Sequence, residues 1–184
     1  MENISDTNPD DFTKEELNSW LDQIMDAYSR NVYLLAYSYI KDKSMAEDIS
    51  QDVFIKVYHQ LNQFRGEAAL SSWIYRITVN RSKDVLRRIK LAQLKYPLKY
   101  FEKEQETEST EATYEKQNQK EQVLAAVLSL PVKYREVLVL FYFHDQSIET
   151  ISTALKENEN TVKTRLSRGR EKLKSNPILR EGLM

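Results

Sequence analysis

The 184-residue chain has no cysteine, three glycines, four prolines and two histidines. Without thiols, neither a disulfide framework nor thiolate chemistry is open to it, which fits a reducing cytoplasm. So little glycine and proline argues against a turn-dense β fold and leaves no glycine loop for phosphates. His59 and His144 are unclustered, and no nucleophile sits beside a base in any known spacing. The expectation is therefore no catalytic residue, no metal site and no cofactor. The longest apolar run, Val137–Phe143, is too short to span a bilayer. The N-terminus is acidic (Glu2, Asp6, Asp10, Asp11, Glu15, Glu16), the reverse of a secretion signal.

What is present is charge, 30% of residues, and 41% apolar residues, a balance that suits a soluble helical protein. The net charge of −1 hides a pattern. Ser72–Tyr100 carries eight Lys/Arg against Asp84 alone, and Asn160–Ser175 six against Glu171 alone. Between them, Phe101–Glu121 holds seven acids and three bases. Two basic blocks around an acidic one suggest two surfaces for a polyanion, although solvated helix faces would look similar.

Helical periodicity organises the chain into two domains. Residues 1–15 read as an acidic tail. Thr13-x-x-Glu16 and Ser44-x-x-Glu47 read as capping boxes opening helices over Leu17–Lys41 and Met45–Leu61. A loop, Asn62–Leu70, leads to a long helix over Ser71–Ala92. Residues 16–94 thus form a first domain. Residues 95–118 lose periodicity around Pro97 and read as a linker. A second domain covers 119–177, followed by a tail over 178–184. Its run Val137–Phe143 has strand propensity, but with no partner strand elsewhere it is read as helix.

Residues 147–174 read as helix, tight turn, helix. Ile148, Ile151, Ala154 and Leu155 give the first helix its apolar face, and Asn160 is taken as the N-cap of the second. At 100° per residue, Val162, Leu166, Gly169 and Leu173 turn inward. Thr164, Ser167, Arg168 and Glu171 turn outward, flanked by Lys163 and Lys172, with Arg165 and Arg170 at the edges. Such a helix suits a DNA major groove: outward side chains approach base edges and border cations reach phosphates. A basic amphipathic helix on a protein surface is the alternative. In the long helix of the first domain, Arg76, Asn80, Lys83 and Arg87 share a face, while Arg81 intrudes on the apolar side.

Four segments then carry a family resemblance: Asp48-Ile-Ser-Gln-Asp-Val-Phe54, Phe64-Arg-Gly-Glu-Ala-Ala-Leu-Ser-Ser-Trp-Ile-Tyr-Arg-Ile-Thr-Val-Asn80, Leu130-Pro-Val-Lys-Tyr-Arg-Glu-Val-Leu138 and Thr161–Leu173. In this order and spacing the chain, over about residues 20–175, resembles an extracytoplasmic-function (group 4) sigma factor of the sigma-70 family. The resemblance implies an all-α, two-domain transcription initiation factor with a stress or envelope-response regulon. It implies binding to the clamp and flap of core RNA polymerase and to promoter DNA, duplex at −35 and single-stranded at −10. Also implied are an anti-sigma partner, usually membrane-anchored, and a cytoplasmic location.

By the same resemblance, Asp48, Gln51 and Asp52 face the polymerase, with Phe54 a contact or a core residue. Phe64 and Arg65 belong to the loop that captures a flipped base, and Asn80 matches a position that contacts −10 bases; Arg76, Lys83 and Arg87, which share its helix face, are read with it as −10 contacts. Lys163, Thr164, Ser167 and Arg168 match −35 contacts, and Arg165 and Arg170 phosphate clamps. Primary sigma factors carry a tryptophan pair at the melted edge; here Trp73-Ile74 stands instead, which implies weaker melting. Trp73 reads equally as core. Two rival readings remain: a helix-turn-helix regulator with a sensing domain, and a sigma mimic that holds polymerase without opening promoters.

Overall fold

The computed structural model describes residues 13–61, 64, 69–95 and 115–181, with side chains described for 13–61, 64, 69–95 and 122–179. Helix α1 (Lys14–Ile40) opens with the expected capping box. The Thr13 hydroxyl oxygen accepts from the Glu16 N–H at 3.3 Å, and the Glu16 carboxylate accepts from the Thr13 N–H at 2.8 Å. Lys41 ends α1 in the left-handed region, φ 62°, and its N–H returns to the Tyr37 carbonyl at 2.8 Å. That tight reversal leaves Asp42 extended, so Asp42 caps α2 (Lys43–Gln60) by accepting from the Met45 N–H at 2.9 Å. The expected capping box at Ser44 does not form, because the helix has already begun there. Helix α3 (Leu70–Lys95) completes the first bundle. Val32 and Ala36 of α1, Ile49, Val53 and Val57 of α2, and Ile74 and Ile77 of α3 share one buried core.

Helix α4 (Glu115–Ser129) leads through Pro131 into α5 (Val132–Leu138). The ambiguous run Val137–Phe143 is helical throughout: Val139–Phe143 continues α5 as a π turn, closed by the His144 N–H on the Val139 carbonyl at 3.1 Å. Helix α6 (Ile148–Leu155) is capped by Ser147, whose hydroxyl accepts from the Thr150 N–H at 3.1 Å. Lys156, φ 55°, closes it. Helix α7 (Glu159–Lys174) starts from Asn158, whose carboxamide accepts from the Thr161 N–H at 2.7 Å. The sequence pointed to Asn160 as the cap. The left-handed Lys156 shortens the turn, so Asn160 already lies inside α7. A short α8 (Pro177–Glu181) follows.

Gly169 of α7 faces Leu138 at the end of α5. A Cβ there would lie 3.0 Å from Leu138 Cδ1, so any larger residue would have to push that side chain aside.

A second buried core joins the halves of the chain. Leu35 and Tyr39 of α1 and Tyr75 and Val79 of α3 pack with Val139, Leu140, Ile151 and Leu155. Helix α3 lies directly against α6. The all-helical expectation therefore holds among the described residues, and the two bundles share a buried seam.

Candidate nucleic-acid interface

Helix α7 sorts its residues as the 100° wheel requires. Val162, Leu166 and Gly169 are buried, and Lys163, Thr164, Ser167, Arg168 and Arg170 are exposed. Lys163 pairs loosely with Glu159 one turn back, at 3.0 Å on the surface, which a competing phosphate displaces at little cost. Among the described residues, the side chains of Thr164, Ser167 and Arg168 make no hydrogen bond on the same outward strip, so they present donors, acceptors and a methyl group to whatever lies against the helix.

Arg165 differs. Its guanidinium is only 20% exposed and forks between two acids, Glu136 at 3.0 Å and Glu157 at 2.6 Å. Glu136 is the centre of a network that joins the bundles. Its carboxylate, 3% exposed, accepts from Arg165 through Oε1. Through Oε2 it accepts the Tyr39 hydroxyl and meets the Lys83 ammonium at 3.3 Å. Burial, then the neighbouring Glu136 charge, holds the Tyr39 phenol well above its ordinary pKa, so Tyr39 is the donor.

Along α3, Asn80 is exposed and Arg76 half-buried, Lys83 turns to Glu136, and Arg87 pairs with Asp84 one turn back. Arg81, the intruder on the apolar side, reaches Asp52 of α2 with Nε at 2.8 Å and Nη2 at 2.5 Å. Asp52 is thus partly engaged within the bundle, while Asp48 and Gln51 stay exposed and Phe54, 8% exposed, sits in the core.

Phe64 stands between two tryptophans, its ring 6.5 Å from Trp20 and 5.3 Å from Trp73. This half-buried cluster offers aromatic faces at the start of α3, where a base could stack. Trp73 is half-buried and packs against the first core. Arg65 lies outside the described residues.

Beside the exposed acids of α2, an apolar groove of about 860 Å3 runs between α1 and α2, lined by Leu21, Met25, Tyr33, Phe54, Ile55 and Tyr58. Ile55 is 57% exposed.

The sequence reading missed Glu136, Tyr39 and His144. The available signal for Glu136 was an acid, beside Arg135, inside a stretch, Tyr134–Leu140, whose other residues are apolar core. Its partner Tyr39 lies 97 residues away in sequence, and no local pattern links them. His144 is 5% exposed, stacked on Tyr75 with ring centroids 5.3 Å apart, and burial lowers its pKa to about 4.

Known proteins share this architecture. The sigma-70 region 2 family matches residues 24–91 and the sigma-70 region 4 family residues 120–173. The ECF RNA polymerase sigma factor SigW of Bacillus subtilis is 32% identical over 82% of this chain and 85% of its own. The RNA polymerase sigma-H factor of Pseudomonas aeruginosa is 30% identical over 84% and 85%. Among solved structures, RpoE of Bartonella quintana in complex with the anti-sigma factor NepR superposes with a TM-score of 0.66 at 18% identity. That superposition covers 89% of this chain and 98% of that one. CnrH in complex with the cytosolic domain of CnrY gives 0.61 at 20% identity over 86% and 87%. The family matches fall on the two bundles, one over α1–α3 and one over α4–α7, and the chain belongs to the extracytoplasmic-function RNA polymerase sigma factors.

Proposed function

We propose that this sigma factor, which binds core RNA polymerase and directs promoter-specific initiation, reads its promoter through two separate surfaces. Residues 16–94 act as the polymerase-binding and −10 domain, and 119–177 as the −35 domain. One observation carries the reading: α7 buries Val162, Leu166 and Gly169 and thereby holds Lys163, Thr164, Ser167 and Arg168 outward on one strip. Those side chains address base edges of the duplex −35 element, and Arg170 reaches phosphate. Arg165 joins them as a phosphate clamp once it exchanges Glu136 and Glu157 for DNA.

On the first domain, Phe64, Arg65 and Trp73 take up an unstacked base, and Asn80 reads a −10 base edge with Arg76, Lys83 and Arg87 steadying the strand. Lys83 of the first bundle is held by Glu136 of the second, so engaging DNA through it requires the seam to loosen, whereas Arg165 and Glu136 lie in the same bundle and part without it. Asp48, Gln51 and Asp52 meet a basic helix of the polymerase clamp beside the apolar groove, into which that helix sets its nonpolar side. The flap of the polymerase holds the second domain.

CnrH and RpoE were solved with CnrY and NepR, which supports control of this chain by an anti-sigma partner, here taken to be membrane-anchored. No helix among the described residues is long and apolar enough to cross a membrane. A cytoplasmic chain tethered through such a partner accords with that.

Run-off transcription with core polymerase tests the reading. A specific transcript from a promoter of the source genome is expected. DNA binding without polymerase dependence would support the regulator alternative, and polymerase binding without any transcript the mimic.

A further inference from the structure

The seam between the two bundles contains a second charged site, one that Glu136 does not neutralise. A cleft of about 620 Å3 lies between the end of α1, the last turns of α3 and the start of α5. Among the described residues, four cations line it, Lys41, Lys90, Lys133 and Arg135, and no acidic side chain does. Among the described residues none of the four pairs with a carboxylate; Lys133 lies over the Tyr134 ring at 5.2 Å. Arg135 is 5% exposed, yet its guanidinium finds only the Leu128 carbonyl, at 2.8 Å, and its buried Nε has no partner. A buried guanidinium N–H left unsatisfied is costly unless a ligand or water completes it. Burial, and then the Arg135 charge, also lowers the Lys41 pKa, so these two cations repel across the cleft. Ile40, Leu86 and Ile89 give the wall an apolar part, beside the polar Gln93.

We propose that this cleft binds a small phosphate-bearing anion, a nucleotide with two or three phosphates. The cations take the phosphates, and the apolar side chains of Ile40, Leu86 and Ile89 receive the organic part. The volume falls within the usual span for small-molecule sites. Because the walls come from α1 and α3 on one side and α5 on the other, a bound ligand favours the packed arrangement of the two bundles over a separated one.

The test needs neither polymerase nor promoter, so its outcome is independent of the promoter-reading assignment. Calorimetric titration of the full chain with ATP and with inorganic pyrophosphate, free of divalent cations, is expected to give saturable one-to-one binding that sulfate at equal ionic strength does not reproduce. Lys90→Glu and Lys133→Glu alter exposed side chains and keep the fold, checked by thermal melting. Each is expected to weaken binding by about tenfold or more, and Lys56→Glu on α2 to leave it unchanged. Absence of saturable ATP and pyrophosphate binding, or equal affinity in wild type, K90E and K133E, overturns the proposal. So does a short random duplex that displaces ATP with the same sensitivity to both reversals, which assigns the cleft to the DNA backbone.

Discussion

Tyr39→Phe removes one oxygen atom from the seam and leaves the packing in place. The ring is 2% exposed and belongs to the buried core that joins the bundles; phenylalanine fills the same space. What disappears is the hydroxyl that donates to Glu136. A hydrogen bond to a charged group contributes about 1.5–3 kcal/mol, and here both partners are buried. When the bundles separate, both groups meet water, so the loss falls on the packed arrangement alone. At about 1.4 kcal/mol per tenfold, the balance shifts by roughly 10- to 150-fold. A packed form populated at about 99% would then fall to roughly 40–90%.

The chain has no cysteine, so Lys56→Cys and Lys174→Cys, both exposed, give two unique sites for a donor and an acceptor dye. Energy transfer is expected to drop in Tyr39→Phe and to stay at the parent value in Tyr37→Phe, whose ring stacks on Tyr33. Glu157→Gln, which removes only the Arg165 partner that does not bridge the bundles, is also expected to leave transfer unchanged. Unaltered transfer in Tyr39→Phe, with a normal thermal melt, would refute the claim that this bond holds the bundles together.

The pH dependence has a fixed sign. His144 is buried with its pKa lowered from 6.5 to about 4, so its stabilising contribution is complete above pH 6.5 and is lost as pH falls through about 4, by about 3 kcal/mol in all. His144→Phe should remove that component, read as the difference between wild-type and variant urea midpoints at pH 7.5 and 4.5. Arg168→Ala or Lys163→Ala should weaken −35-dependent run-off initiation by about 1–3 kcal/mol for a base contact, with no change in thermal stability, since both side chains are exposed. Asn80→Ala should relax −10 selectivity across a panel of −10 base substitutions; an unchanged preference profile would displace the reading face from this part of α3.

Helical periodicity is a local property, and most of the elements followed from it. The spacing of Val162, Leu166 and Gly169 placed the outward strip of α7 because a helix turns 100° per residue whatever surrounds it. The Thr13 capping box was legible for the same reason, since its donors and acceptors lie three residues apart. Caps that depend on the preceding turn were not. Lys41 and Lys156 adopt left-handed backbone that no residue preference announces, and each moves the next helix start two residues toward the N-terminus, to Asp42 and Asn158.

The tertiary structure alone decided which charges are free. By sequence, Lys83 and Arg165 were two more cations on two basic helices, and Asp52 an acid like Asp48. In the folded chain Lys83 and Arg165 share Glu136, Asp52 holds Arg81, and Lys41, Lys90, Lys133 and Arg135 pair with no acid among the described residues. Charge composition counts ions, but an ion's availability depends on partners that folding brings from far along the chain, and no residue-by-residue period records those.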